Sequence, residues 1–137
     1  MIESGLKKKI KILLLGPNGQ LGESLKNHLE AFHDLECVDK KKFDFLNPSN
    51  FLDILKKSKP SLVINAAAYT DVEGAESNKN LANQINGEAL KYIASACEAL
   101  DLKLFHFSTD YVFDGNKTTP YLENDKPNPL SIYGNSK

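Results

Sequence analysis

Short apolar runs alternate with helix-period segments along the whole chain, the pattern of βαβ units feeding a parallel sheet. Residues 10–15 are nearly continuously apolar, as a strand buried on both faces requires. Residues 20–32 then carry Leu21, Leu25, Leu29 and Phe32 at helical spacing, and residues 35–38 read as a second short strand ending at Asp39. Asn47 and Pro48 suit an N-cap and first helical position. That helix is expected to run to about Lys59, where Pro60 stops it, before a third strand over 62–64. The longest helical pattern, 80–100, is rich in alanine, with apolar positions at Leu81, Ile85, Ala89, Tyr92, Ile93, Ala96 and Leu100. A fourth strand follows over 102–107. From Thr109 to Ile132 the periodicity gives way to proline, asparagine and glycine, the mark of a long loop, and loops of that length in compact domains carry function or are disordered. The prediction is one domain over 1–137: an α/β, Rossmann-like, doubly wound parallel sheet, incomplete on its C-terminal side.

Bulk properties narrow the function classes. A net charge of -1 lacks the basic excess that nucleic-acid binding needs, so no nucleic-acid partner is expected. All 17 basic residues other than histidine are lysine, so bidentate arginine recognition of a phosphate is ruled out within this sequence. Cys37 and Cys97 lie in apolar runs far apart, which suits buried reduced thiols. The first nine residues are polar and end in lysine, and the apolar stretch after them is too short for a membrane span or a convincing signal peptide. A cytoplasmic protein with no membrane partner is the expectation.

The candidate chemistry gathers at strand ends. Gly16-Pro17-Asn18-Gly19-Gln20-Leu21-Gly22 follows the first strand and opens the first helix, with glycines every three residues. Such a turn lets a pyrophosphate approach the backbone and rest on a helix N-terminus, while the last glycine, Gly22, permits close helix packing. Asp39 ends the second strand where an acidic residue binds the adenosine ribose hydroxyls, which favours NAD. Lys40, Lys41 and Lys42 follow it, either as a solvated loop or as point charges for a 2′-phosphate, leaving NADPH and NADH both open. Phe43-Asp44-Phe45 reads as a cover for the adenine edge or as a short strand with both rings on one face. Asn65-Ala66-Ala67-Ala68-Tyr69 ends the third strand with small residues against which a flat cofactor can lie. Ser108 and Thr109 end the fourth, where a hydroxyl can bond a substrate carbonyl or a phenol, and Asp110 can bind a sugar hydroxyl. Tyr133 and Lys137 stand four apart, which on a helix puts the ammonium on the phenol's face, where it lowers the phenol's pKa and makes it a usable proton donor. His106 reads as a packed strand histidine, and His28 and His33 as surface helix residues. No ligand cluster has metal spacing, so no metal is expected.

Together the glycine turn at 16–22, Asn-Ala-Ala-Ala-Tyr-Thr at 65–70, Ser-Thr-Asp-Tyr-Val-Phe-Asp-Gly at 108–115 and Tyr-Gly-Asn-Ser-Lys at 133–137 resemble the extended short-chain dehydrogenase/reductases. Pro120, Tyr121 and Glu123 also fit that family's loop. Within it the likeness is to the nucleotide-sugar reductases, and it spans Lys11 to Lys137. The resemblance implies reduction of the 4-keto group of dTDP-6-deoxy-L-lyxo-4-hexulose, a dTDP-sugar, to dTDP-L-rhamnose by NADPH or NADH. It implies Tyr133 as proton donor, Lys137 as the group that lowers its pKa and holds the nicotinamide ribose, and Thr109 as the hydroxyl that tunes phenol and carbonyl. Gly19, Gln20, Leu21, Asp39, Asp44, Phe45, Ala66, Ala67 and Ala68 would contact the cofactor, with Thr109 and Asp110 near the substrate. Family enzymes continue past the lysine into a substrate-binding region, through which some pair as homodimers with magnesium. A polypeptide ending at Lys137 is therefore expected to bind cofactor yet have little or no reductase activity. A different class with a similar fold, a non-catalytic dinucleotide-binding regulatory subunit such as that of methionine adenosyltransferase, is the alternative. Retention of Thr109, Tyr133 and Lys137 together favours an enzyme.

Overall fold

The computed structural model describes residues 8–137. Four strands, β1 (Lys11–Leu15), β2 (Asp34–Val38), β3 (Leu62–Asn65) and β4 (Lys103–His106), form one sheet in the order β2-β1-β3-β4. Every pairing is parallel, with Leu15 beside Val38 on one side and Asn65 on the other. The chain first winds from β1 to β2, then crosses to the opposite side of β1 for β3 and β4. The strand order therefore reverses between β1 and β3, and a crevice opens at their carboxyl ends.

The two faces of β1 explain its unbroken apolar run. Leu13 and Leu15 point with Val38 and Val63 into a core closed by α2 (Phe51–Ser58) and α5 (Ala89–Ala99), through Phe51, Leu55, Ile93 and Cys97. Ile12 and Leu14, alternating with them, join Ile64 beneath α1 (Gln20–Leu29), which contributes Leu25 and Leu29. Period-2 alternation thus divides one hydrophobic strand between two cores. The edge strand β4 departs from this: Leu104 packs on the larger core, while Phe105 is 60% exposed. Cys97 is buried, Cys37 half-buried, and both thiols are free.

Boundaries shift for local reasons. The helix expected over 20–32 ends at Leu29, where Phe32 and His33 turn back to bond its carbonyl, leaving His33 beyond the helix. The segment from Asn47 starts as a 3₁₀ turn, Pro48–Asn50, before α2. Asn47 makes no side-chain cap to the backbone there and instead accepts from the Ser49 hydroxyl at 3.0 Å. Lys59 ends α2 in the left-handed region, immediately before Pro60. A six-residue helix that periodicity does not reveal, α3 (Val72–Ser77), precedes α4 (Lys79–Asn83), its start fixed by the Asp71 carboxylate accepting from Gly74 N–H. The long helical pattern is interrupted at Gln84–Glu88 by a π turn that leads into α5. Residues 109–131 are irregular apart from a 3₁₀ turn at Asp110–Val112.

That irregular stretch is ordered by its own carboxylates. Asp114 accepts from Asn116 N–H, the Tyr121 hydroxyl and Asn128 Nδ2 at 2.9–3.0 Å, donors that hold its pKa at about 2. Asp125 accepts from Lys117 and Leu122 N–H. No helix among the described residues is long and apolar enough to cross a membrane.

The glycine turn shows which positions serve packing. A Cβ on Gly22 would collide with the Gly16 carbonyl oxygen, whereas one on Gly19 would meet that oxygen only at an ordinary 3.8 Å. Gly22→Ala is expected to cost about 2 kcal/mol of unfolding free energy and Gly19→Ala less than about 1, read from urea midpoints. Equal losses would contradict this division of labour.

Candidate functional site

A cleft of about 770 Å³ lies over the carboxyl ends of the strands. Its floor is the turn after β1, which supplies Gly16, Pro17, Asn18, Gly19, Gln20 and Leu21. Gly16 has φ +73° and lies so close to β3's continuation that a Cβ there would stand 2.8 Å from Ala67. Only glycine relieves both demands. The chain then enters α1 through an extended Gly19 (φ -81°, ψ 166°), and no side chain caps the first N–H groups of the helix. Leu21, 41% exposed, is an apolar side chain on its wall.

One side of the cleft is the end of β2. Asp39 lines it with Lys40 and Lys41. The Asp39 carboxylate accepts from Lys41 N–H at 3.0 Å and Lys42 N–H at 3.3 Å, closing a tight turn. Lys42 turns away to donate to the Cys37 carbonyl at 3.1 Å.

The middle is the end of β3. Asn65 is buried, accepts from Ala67 N–H at 3.0 Å and donates to His106 Nδ1 at 3.2 Å, fixing the path by which Ala66, Ala67 and Ala68 reach the cleft. Because Nδ1 accepts, the His106 hydrogen sits on Nε2, which is buried without a partner.

The far side is the short helix α6 (Ile132–Ser136) with Lys137 at its end. Tyr133 and Lys137 both line the cleft, the shared face that their spacing predicts. The Tyr133 ring is buried edge-on against Tyr111 at 5.6 Å, and Lys137 Nζ donates to the Phe107 carbonyl at 2.7 Å. Burial lowers the Lys137 pKa. Five residues are too few to hold a helix alone, so its placement comes from neighbours. Ser131 accepts from Gly134 N–H at 3.0 Å, and Glu76 of α3 accepts from Ile132 N–H at 2.9 Å. Asn86, buried in the π turn, clasps both backbone groups of Tyr69 (2.8 and 3.1 Å) and donates to Ser136 Oγ at 2.9 Å. That hydroxyl in turn donates to the Tyr133 carbonyl at 2.7 Å.

The cleft thus brings together Gly16, Gly19, Gln20, Leu21, Asp39, Ala66, Ala67, Ala68, Tyr133 and Lys137. Gly22 serves from below as packing. Asp44 and Phe45 do not line it: Asp44 accepts from Leu46 N–H at 2.9 Å, while Phe45 packs edge-on against buried Phe43, and no strand forms there. Thr109 does not line it either. Its hydroxyl caps the following turn at Tyr111 N–H and donates to Asp110 at 3.1 Å. Asp110 opens on a neighbouring aromatic hollow with Tyr111, Phe113 and Tyr121. Asn65 and Asn86 escaped the sequence reading as functional residues. Their one signal is an amide beside small residues, Ala66 or Gly87, inside an otherwise apolar pattern. No group of three or more metal-ligating side chains comes together among the described residues.

The comparisons agree with this geometry. Residues 10–137 match the family described as RmlD substrate binding domain. The chain belongs to that family. It is 41% identical over 128 residues to a dTDP-4-dehydrorhamnose reductase of Burkholderia thailandensis, covering 93% of this chain and 43% of that protein. A Shigella flexneri protein of the same name is 39% identical over 132 residues, covering 93% and 44%. A solved dTDP-4-dehydrorhamnose reductase from Bacillus anthracis, in complex with NADP, superposes with a TM-score of 0.89 at 37% identity, covering 94% of this chain and 46% of that one. The chain spans less than half the length of these relatives. The extended short-chain dehydrogenase/reductase resemblance and the Rossmann-like sheet both hold.

Burial, and next the Lys137 charge, lower the His106 pKa. The folded state therefore disfavours a proton that the unfolded chain accepts near pH 6.5, and stability is expected to fall as pH drops from 7 to 5. His106→Gln should flatten that slope in thermal melts. An unchanged slope would show that the histidine does not carry it.

Proposed function

We propose that this chain forms the cofactor-binding part of a nucleotide-sugar reductase, using NADPH or NADH to reduce the 4-keto group of a dTDP-4-dehydro-6-deoxysugar to dTDP-L-rhamnose. The observation that carries the reading is the single cleft shared by a glycine turn, an alanine strand end and a tyrosine–lysine helix. The residues fit a dinucleotide. Side chains are missing where a pyrophosphate needs backbone, at Gly16 and Gly19, and the uncapped α1 N-terminus offers N–H donors to its charge. The apolar faces of Leu21 and Ala66–68 would flank the rings.

A reduced nicotinamide supplies a hydride to the carbonyl carbon. The protein's part is to hold the carbonyl and deliver a proton. Tyr133 donates that proton from its hydroxyl to the carbonyl oxygen. Lys137, anchored by the Phe107 carbonyl, keeps its remaining N–H donors for the nicotinamide ribose. Thr109 opens the turn whose Tyr111 packs on Tyr133, and is assigned the tuning of phenol and substrate carbonyl, with Asp110 beside the sugar.

Titration of the purified chain with NADH and NADPH, followed by nicotinamide fluorescence, is expected to show saturable binding that Gly19→Val removes without unfolding the protein. Binding of neither nucleotide would overturn the cofactor reading. Turnover by the chain at about 1 per second or faster would overturn only the expectation of low activity.

A further inference from the structure

A chain of contacts runs from β4 through the end of β3 to the glycine turn, and its first member is a histidine. Ala67 is the residue against which the turn rests: a Cβ on Gly16 would stand 2.8 Å from the Ala67 backbone nitrogen. That nitrogen donates to Asn65 Oδ1 at 3.0 Å. A backbone N–H can only donate, so the Asn65 amide is fixed with its oxygen toward Ala67 and its NH2 toward β4. There Nδ2 meets His106 Nδ1 at 3.2 Å, and that nitrogen accepts only while it carries no hydrogen. Asn65 is 3% exposed, so its amide has no solvent to turn to. The alanine wall of the cleft is therefore tied to the protonation state of a side chain that does not line it.

We infer that neutral His106 is a positioning residue for the dinucleotide: through Asn65 it holds Ala67 against Gly16, and protonating it loosens the wall on which the cofactor lies. This rests on the dinucleotide reading of the same cleft and goes beyond it by naming a residue outside the cleft that governs affinity. An imidazolium has two N–H donors and no acceptor, so turning the ring restores nothing. If Asn65 keeps its orientation, its NH2 faces a second donor on Nδ1. If it swings its oxygen to the imidazolium, its NH2 opposes the Ala67 N–H instead. Either way a buried donor loses its partner, and the second way frees Ala67. The surroundings keep the histidine neutral at ordinary pH. Burial first, and the Lys137 ammonium second, disfavour its proton. The neighbouring β3 presents the uncharged Asn65, and α5 turns toward the sheet the Cys97 thiol, whose pKa burial pushes up to about 11. The other charged groups there, Glu88, Lys91 and Glu98, are exposed, the first two paired with each other. His106 is thus the group in this set whose charge changes as pH falls from 7.5 to 5, and binding weakens in that direction because the bound form favours the neutral ring.

The test is the NADH dissociation constant, measured by nicotinamide fluorescence between pH 7.5 and pH 5, with circular dichroism at each pH to show that the chain stays folded. NADH is the probe because it lacks the 2′-phosphate, a group that itself titrates at about pH 6. The unaltered chain is expected to bind at least about threefold more weakly at pH 5 than at pH 7.5. His106→Asn offers an amide oxygen near the place of Nδ1 and cannot be charged, so it should bind within about twofold of the unaltered chain at pH 7.5 and show a level profile. His106→Leu, which removes the acceptor, should bind weakly at every pH. In the unaltered chain the Ala67 amide resonance should move with the same midpoint as the His106 ring protons, and saturating NADH should shift that midpoint to lower pH. This readout needs no variant to fold. Saturable NADH binding with the same pH dependence in the unaltered chain and in His106→Asn, or an Ala67 amide that does not follow the ring, would overturn the positioning role while leaving the cofactor cleft intact. Binding of NADH at no pH would overturn the dinucleotide reading, and the role with it.

Discussion

The close approach of backbones at the mouth of β1 is the constraint on which the site depends. Gly16 leaves the strand with a positive φ and touches Ala67, and its carbonyl lies against Gly22 of α1. Those two contacts join the glycine turn to β3 and to the helix at once. A side chain at either glycine would separate elements whose spacing defines the cleft. Because the cores of β1 are filled on both faces by Leu13 and Leu15 below and Ile12 and Leu14 above, the strand cannot shift to relieve such a clash. The turn is thus held from beneath by packing and presents bare backbone above.

The opposite wall is built on a different principle. Its helix is five residues long and takes its position from polar contacts: Glu76 and Ser131 at its N-terminus, and Asn86 through Ser136 from below. Asn86 also holds Tyr69, in the segment that follows the alanines. One buried amide therefore couples the cleft-lining end of β3 to the helix that carries Tyr133. A buried polar network satisfied in this way gives geometric definition where a short helix cannot supply it.

Much of this was legible in the sequence because it rests on local rules. The alternation of apolar runs with helical periods revealed all four strands and their parallel pairing. The glycine spacing located the turn, and the separation of Tyr133 and Lys137 placed both on one face. What escaped depends on contacts distant in sequence. The helix Val72–Ser77 is too short to show periodicity, and the π turn at Gln84–Glu88 breaks a pattern that looked continuous. Asn86 earns its place only through partners 17 and 50 residues away. Phe43 is likewise placed by a distant contact: it is sunk against Phe51 in the core, and Asp44 and Phe45 beside it do not line the cleft.

The central claim is that a dinucleotide lies across the carboxyl ends of β1, β2 and β3 and reaches the helix of Tyr133. Backbone amide chemical shifts recorded while NADPH is added test it most directly. The account predicts a continuous band of shifts at residues 16, 18–21, 39–41, 66–68 and at Tyr133 and Lys137, with Asp53, Lys56 and Lys57 on the outer face of α2 unmoved. Saturable binding whose shifts cluster on that outer face, or skip the glycine turn, would contradict it.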